Sequence, residues 1–186
     1  MTRSKPPPTH RRPGMIWTLT GAPGSGKTRL ALAFAAHRAK TSPTLVLHTD
    51  LLKVTLRQMG VSALRGPGWA DPARAMRARP LLAAHAEKAD RDGYDLIIEG
   101  TLATGFDWPG AAYVVLEISS STRTERIAQK HASAQAALCG VDLAGVEQAL
   151  AAHAPPSATR LDAEASIVAL VEQLERLRYT ERARRS

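Results

Sequence analysis

Short apolar runs alternate along the chain with longer segments in which apolar residues recur every three or four positions. The runs have the length of β-strands and fall at residues 16–19, 44–49, 95–101 and 112–118, with a weaker one at 157–163. Strands that alternate with helical patterns are typical of α/β domains. The pattern therefore predicts an α/β domain with four clear strands and a fifth that is poor in apolar residues.

Glycines, prolines and capping residues mark where the helices between these runs begin and end. Pro80 has no backbone N–H, so it must kink the helix that contains it or start a new one. The link from Thr101 to Gly110 is too short for a crossover helix, which predicts a bare loop or a different layout of the strands. We expect helices after Gly26, over Leu51–Met59, from Asp71-Pro72, from Thr122 to Gly140, from Asp142 to Pro155 and over Ile167–Leu177.

The stretch between the first strand and the first helix carries a specific motif. It reads Gly21-Ala22-Pro23-Gly24-Ser25-Gly26-Lys27-Thr28 and satisfies the phosphate-binding loop pattern at every position. Its glycines permit positive φ, so that consecutive N–H groups can face phosphates, and the helix adds its positive N-terminal end. We expect Lys27 to contact the β- and γ-phosphates and the Thr28 hydroxyl to ligate Mg²⁺.

Two carboxylates follow apolar runs, and ligands of open parallel sheets bind where the strands end. Asp50 comes directly after the run 44–49, which suits a catalytic base or a member of the metal shell. It could instead be the N-cap of the next helix. Glu99 ends the apolar part of 95–101 and suits the acid of a Walker B strand, facing Mg²⁺. The alternative is a carboxylate satisfied by local N–H groups.

Basic residues of two helical segments are further candidates for phosphate contacts. Arg123, Arg126 and Lys130 follow a capping-box pattern that begins at Thr122, and Arg126 and Lys130 are four residues apart on one predicted helix face. A second group could clamp a substrate phosphate or simply form a solvated helix face. This group consists of Arg74, Arg77 and Arg79.

Length and cysteine content narrow the class of protein. The 186 residues suffice for one domain with its own core, and the single Cys139 excludes an internal disulfide. No apolar run approaches the length of a membrane span, and the N-terminus lacks the apolar segment of a signal peptide. We therefore expect a cytoplasmic protein without membrane partners. Nothing in the residues indicates an oligomeric state.

The net charge of +8 is concentrated near the two ends. We predict a disordered, basic, proline-rich tail over 1–14, a domain over 15–179 with a helical lid region near 120–156, and a basic tail over 180–186. Only 4% of the residues are aromatic, so there is little to stack on nucleic-acid bases. The charge is interpreted as favouring solubility and a general attraction to polyanions, nucleotides included.

The phosphate loop, Asp50, the segment Ile98-Glu99-Gly100-Thr101-Leu102 and the arginine-bearing helix resemble the P-loop kinases, and specifically the zeta-toxin group, over residues 15–130. The Glu-Gly pair is also similar to uridine-kinase-type enzymes. The resemblance implies a P-loop three-layer α/β/α fold with a mainly parallel five-stranded sheet, and ATP with Mg²⁺ as cofactors. It implies Asp50 as the base, with Arg126 and Lys130 near the phosphates. The chain differs from the group at Ala103, where an arginine is usual.

These features predict an ATP- and Mg²⁺-dependent kinase that phosphorylates a hydroxyl group of a small molecule such as a nucleotide sugar, a nucleoside or an antibiotic. Two alternatives stay open: a polynucleotide kinase, and an ATP-binding module that acts on a partner protein. A GTPase is disfavoured because the chain has no N-K-x-D motif, and its D-x-x-G match, Asp90 to Gly93, precedes a strand instead of following it.

Overall fold

The computed structural model describes residues 14–58, 72–130 and 142–185. These ranges contain five strands: β1 Ile16–Gly21, β2 Thr44–His48, β3 Asp95–Glu99, β4 Ala112–Glu117 and β5 Thr159–Asp162. They also contain a 3₁₀ turn at Thr101–Ala103. The α-helices are α1 Lys27–Arg38, α2 Thr49–Gln58, α3 Pro72–Asp92, α4 Ser120–Ala128, α5 Leu143–His153 and α6 Ile167–Arg185.

The five strands form one sheet in the order β2-β3-β1-β4-β5, and every pair in it is parallel. This confirms the predicted α/β fold with a five-stranded parallel sheet, including the weakly patterned strand β5. Because all strands run in one direction, their carboxyl ends meet at one edge of the sheet. The phosphate loop, Asp50 and Glu99 all lie at that edge.

Alternate residues of each strand face opposite layers of helices. On one side Trp17, Leu19 and Ile97 pack with helices α1 and α6, and the rings of Trp17 and Phe34 meet edge to face at 4.9 Å. On the other side Ile16 and Ile98 pack with α3 and with the link that follows β3. The three central strands β3, β1 and β4 are therefore buried on both faces, as their continuous apolar runs require.

The short link from Thr101 to Gly110 crosses β1, which lies between β3 and β4 in the sheet. It contains the 3₁₀ turn and no α-helix, and it buries Leu102 and Phe106 against the sheet. Thr18 of β1 donates its hydroxyl hydrogen to the Phe106 carbonyl oxygen over 3.3 Å. The structure therefore confirms the expected loop in place of a crossover helix. A loop suffices because the chain passes only one strand, β1, between β3 and β4.

Helix α3 continues through Pro80 as a single element, so of the two alternatives for this proline the start of a second helix does not apply. Two details of the next helix differ from the sequence-based expectations. Helix α4 begins at Ser120 with Ser119 as its N-cap, three residues before Thr122. It ends at Ala128, so Lys130 lies beyond it and does not share a helix face with Arg126. The predicted continuation to Gly140, the predicted stop at Gly60, the Asp71 cap, Cys139 and the tail over 1–13 lie outside the described residues.

A network of ion pairs joins α1, β3, α6 and the residue before β1 at the opposite edge of the sheet, where the strands begin. Arg38 at the end of α1 donates to Asp95 over 2.8 Å and to Glu175 of α6 over 3.1 Å. The other Asp95 oxygen accepts the backbone N–H of Met15 over 3.0 Å.

Helix α6 continues to Arg185, so most of the segment 180–186 that was predicted as a tail is helical. Within the described residues, no helix has the length and apolar character of a membrane span.

Candidate functional site

The phosphate loop is a turn of glycines between β1 and α1. Gly24 and Gly26 have φ values of 89° and 91°, which L-residues with a side chain rarely adopt. A Cβ on Gly21 would lie 2.6 Å from the Leu116 carbonyl oxygen, so this position also requires glycine. Gly26 accepts the first hydrogen bond of the helix from Leu30 N–H over 2.9 Å. The backbone of the motif therefore has the conformation that its sequence predicts.

Lys27 is folded back onto the loop, with 8% of its surface exposed. Its Nζ donates to the carbonyl oxygens of Gly21 over 2.9 Å and Ala22 over 3.0 Å. Burial lowers the pKa of Lys27; the negative charges of Asp50 and Glu99 oppose that shift, and the positive charge of Lys130 adds to it. Asp50, Glu99 and Lys130 thus lie close enough to the predicted catalytic lysine for their charges to influence its pKa.

Thr28 and Glu99 meet beside the loop. The Thr28 hydroxyl donates to Glu99 Oε1 over 3.2 Å, and Nδ1 of His48 lies 2.7 Å from the same oxygen. Glu99 is buried, and its second oxygen, Oε2, has no hydrogen-bond partner among the described residues. The alternative in which local N–H groups satisfy this carboxylate therefore does not apply to Oε2.

Asp50 lies in the first turn of α2, directly after β2. Its Oδ1 accepts the hydroxyl hydrogen of Thr101 over 3.0 Å, which joins the start of α2 to the segment after β3. The helix begins at Thr49, so Asp50 is a helical residue and the alternative of an N-cap is wrong. Gly100 makes this junction possible: it has a φ of 116°, and a Cβ there would lie 2.3 Å from Thr49 Oγ1.

Helix α4 covers the phosphate loop on its other side. A Cβ on Gly24 would meet Ile127 at 3.2 Å and Arg123 at 3.4 Å, so this helix packs directly on the loop. Arg126 donates to the Ser25 carbonyl oxygen over 3.5 Å and to the Ala163 carbonyl oxygen over 2.9 Å. Arg123 pairs with Glu147 of α5 over 2.8 Å. Arg126 thus contacts the loop, whereas the charged end of Arg123 is held by α5.

The donor groups fit a magnesium–nucleotide complex. A threonine hydroxyl and a buried carboxylate oxygen without a partner are ligands suited to Mg²⁺, which keeps several waters and phosphate oxygens in its shell. Among the described residues, no group of three or more His, Cys, Asp or Glu side chains could hold a metal by itself. The protein would therefore contribute a few ligands, from Thr28, Glu99 and Asp50, to a shell completed by the nucleotide.

The sequence reasoning missed His48 and Thr101, which contact the two predicted acids. Both contacts join residues 51 positions apart. The sequence did contain a signal: His48 lies two residues before Asp50, and Thr101 lies two residues after Glu99. This signal is informative only once β2 is known to pair with β3. Of the second arginine group, Arg79 donates to the Gly105 carbonyl oxygen. The side chain of Arg74 lies outside the described residues.

Solved structures share the fold over nearly the whole chain. The gluconokinase from Sinorhizobium meliloti is 19% identical, with 94% of this chain and 97% of that chain covered at a TM-score of 0.51. The APS kinase from Mycobacterium tuberculosis is 19% identical, with 89% and 98% covered at 0.54. The shikimate kinase from Bacteroides thetaiotaomicron is 20% identical, with 88% and 97% covered at 0.57. At these identities the likeness shows a common P-loop kinase fold.

The sequence comparison extends this result to a family. No curated protein matches the chain. The sequence model described as Zeta toxin matches residues 1–111, which is more than half of the chain and includes the phosphate loop, Asp50 and Glu99. The predicted resemblance to the zeta-toxin group is therefore confirmed, and the chain belongs to the Zeta toxin family.

Proposed function

We propose that this protein is a kinase that transfers the γ-phosphate of ATP, in the presence of Mg²⁺, to a hydroxyl group of a small molecule. A nucleotide sugar, a nucleoside or an antibiotic is the class of acceptor that we expect. The observation that carries the proposal is the meeting of Thr28 and Glu99 over 3.2 Å beside a complete phosphate loop, with the charge of Asp50 acting on Lys27 in the same place.

The structural relatives add support of a more general kind. They are, by name, a gluconokinase, an APS kinase and a shikimate kinase, and the APS kinase structure contains AMPPNP and APS. All three names describe kinases of small molecules. The proposed acceptor class follows the same pattern, since the shared fold covers 88% to 94% of this chain.

Each residue of the site has its own role in the proposed reaction. The N–H groups of the loop and Lys27 bind the phosphates, while Thr28 and Glu99 hold Mg²⁺, which when bound neutralises charge on the β- and γ-phosphates. Asp50 accepts the proton of the acceptor hydroxyl as that oxygen bonds to the γ-phosphorus and the bond to the β-phosphate oxygen breaks. ADP leaves with the electron pair. Arg126 and Lys130 supply positive charge near the transferred group.

The test is ATP consumption by the purified protein with Mg²⁺ against a panel of acceptors. The panel contains nucleosides, nucleotide sugars, aminoglycoside and phenicol antibiotics, and 5′-hydroxyl oligonucleotides. The matched control is Asp50→Asn, which retains the shape of the side chain and a partner for Thr101 but cannot accept a proton. We expect this variant to retain ATP binding and to lose transfer by at least about a hundredfold.

Each outcome assigns the protein to a class. A phosphorylated small molecule that disappears with Asp50→Asn supports the proposal and names the acceptor. Transfer to the oligonucleotides alone would contradict the proposal and identify the protein as a polynucleotide kinase. Tight ATP binding without transfer to any acceptor would replace it with an ATP-binding module that acts on a partner protein.

A further inference from the structure

The contact between His48 and Glu99 is fixed by the sheet. These two residues are register partners at the carboxyl ends of the parallel strands β2 and β3. Side chains of register partners point to the same face of a sheet, and Val46 and Ile97, two residues earlier, both pack with α1. The imidazole and the carboxylate therefore meet on the α1 side, where Thr28 also lies.

The hydrogen bonds of Glu99 are divided unequally between its two oxygens. Oε1 faces both His48 Nδ1 at 2.7 Å and the Thr28 hydroxyl at 3.2 Å, whereas Oε2 has no partner in the described part of the chain. A carboxylate oxygen accepts hydrogen bonds, so the His48 ring can donate to Oε1 in the tautomer that has its hydrogen on Nδ1. Two contacts on Oε1 orient the carboxylate, while Oε2 is buried and left without a donor among the described residues.

We propose that His48 is a positioning residue that holds Glu99 by Oε1 and so keeps Oε2 available to the Mg²⁺ shell of the bound nucleotide. This inference rests on the proposed function, because it assigns His48 a role at the same site. Thr28 needs its hydroxyl as a metal ligand in that state, which makes His48 the partner that can stay on Glu99 when the nucleotide binds. Partners of this kind fix the geometry of metal ligands and raise metal affinity.

The experiment compares the Mg²⁺ dependence of nucleotide binding in the full chain and in three variants. His48→Leu has a similar volume and no donor, His48→Ala removes the ring, and His48→Asn keeps an N–H close to the position of Nδ1. The affinity for AMPPNP is measured by titration calorimetry without Mg²⁺ and at increasing MgCl₂. Thermal unfolding without ligand gives the stability of each variant separately.

We expect His48→Leu and His48→Ala to raise the MgCl₂ concentration that gives half of the gain in AMPPNP affinity, by about tenfold or more. The affinity without Mg²⁺ should stay within about twofold of the native value, because the phosphate loop is unchanged. His48→Asn should recover most of the native Mg²⁺ dependence. A purely structural histidine would lower the unfolding temperature in all three variants without this separation.

Two results would overturn the inference. One is a native Mg²⁺ dependence in His48→Leu and His48→Ala. The other is equal losses with and without Mg²⁺, which would show general damage to the site. A native protein whose AMPPNP affinity does not respond to Mg²⁺ would instead overturn the proposed function, and the positioning role of His48 with it.

Discussion

Lys27 is a buried cation, and its pKa lies below the ordinary value because burial penalises the charged form. The phosphates of ATP would raise that pKa in the complex, so binding takes up a proton between the two values. ATP affinity is then fully present below the pKa of the free protein and falls as pH rises through the range, by up to about tenfold per pH unit. Calorimetric titrations from neutral to alkaline pH measure this decline.

The control for this prediction is Lys27→Met, which removes the titrating group and keeps an unbranched side chain. We expect it to weaken ATP binding at every pH and to abolish turnover. Its remaining affinity should change little over the alkaline range. Equal pH slopes in the native protein and in Lys27→Met would show that another group is responsible.

Two separate obstacles prevent a side chain at position 100. Gly100 has a left-handed φ, and an added Cβ would collide with Thr49 Oγ1. We expect Gly100→Ala to destabilise the protein by about 1–3 kcal/mol, measured by denaturant unfolding. Thr49→Ala removes the hydroxyl, so the effect of Gly100→Ala should be smaller in that background while the φ strain persists. Additive effects of the two substitutions would contradict the contact.

The residues of the phosphate loop could be identified from the sequence because their chemistry is local. The loop glycines, Lys27 and Thr28 form one continuous motif, and each residue type has its own reason to be there. His48 and Thr101 are different, because their roles come from contacts with residues 51 positions away. Neither residue type indicates a site until β2 is known to pair with β3.

Helix α4 carries Arg123 and Arg126 over the phosphate loop, so its starting point matters at the scale of the element. The capping-box pattern at Thr122 is genuine in sequence, but Ser119 accepts the Thr122 N–H over 3.3 Å and is the N-cap. Pattern alone does not choose between overlapping serines and threonines. The choice follows from β4, which ends at Glu117 and leaves a short connection to the helix.

This assignment predicts unequal effects of two similar substitutions. Ser119→Ala should lower the free energy of unfolding by about 1 kcal/mol, because it leaves an N–H of the first turn without its cap. Thr122→Ala, inside the helix, should have a smaller effect. Denaturant unfolding of both variants measures the difference. A larger loss for Thr122→Ala would place the helix start three residues later, where the sequence pattern predicts it.

At the scale of the whole molecule, the net positive charge is concentrated near the two ends of the sequence. Residues 1–14 carry four Lys or Arg and no acidic residue, and residues 176–186 carry five Arg and one Glu, so together they account for the net charge of +8. Met15 and Glu175 lie at the edge where the strands begin, since Asp95 and Arg38 connect them. Strand β1 spans about 20 Å from there to the phosphate loop.

Helix α6 passes Glu175 at that edge and continues to Arg185. Its course predicts how activity and polyanion binding respond when Arg182, Arg184 and Arg185 are all replaced by glutamine. If the acceptor is a small molecule, kcat and the KM for ATP should stay within about twofold, because the changed residues lie far from the loop. Binding to duplex DNA should weaken, and its slope against the logarithm of the salt concentration should fall by up to about three. Steady-state kinetics and fluorescence titrations at several salt concentrations measure the two effects.

The control is a variant with Lys88→Gln and Arg91→Gln, which removes two exposed charges of α3 and should change neither quantity appreciably. An oligonucleotide acceptor gives the opposite expectation for activity. The terminal arginines would then hold the strand, so their loss would raise the KM for the oligonucleotide and make it less sensitive to salt, while the KM for ATP stayed the same. A raised KM of that kind would favour the polynucleotide kinase over the small-molecule kinase, because a small acceptor at the loop is too short to reach both ends of the sheet.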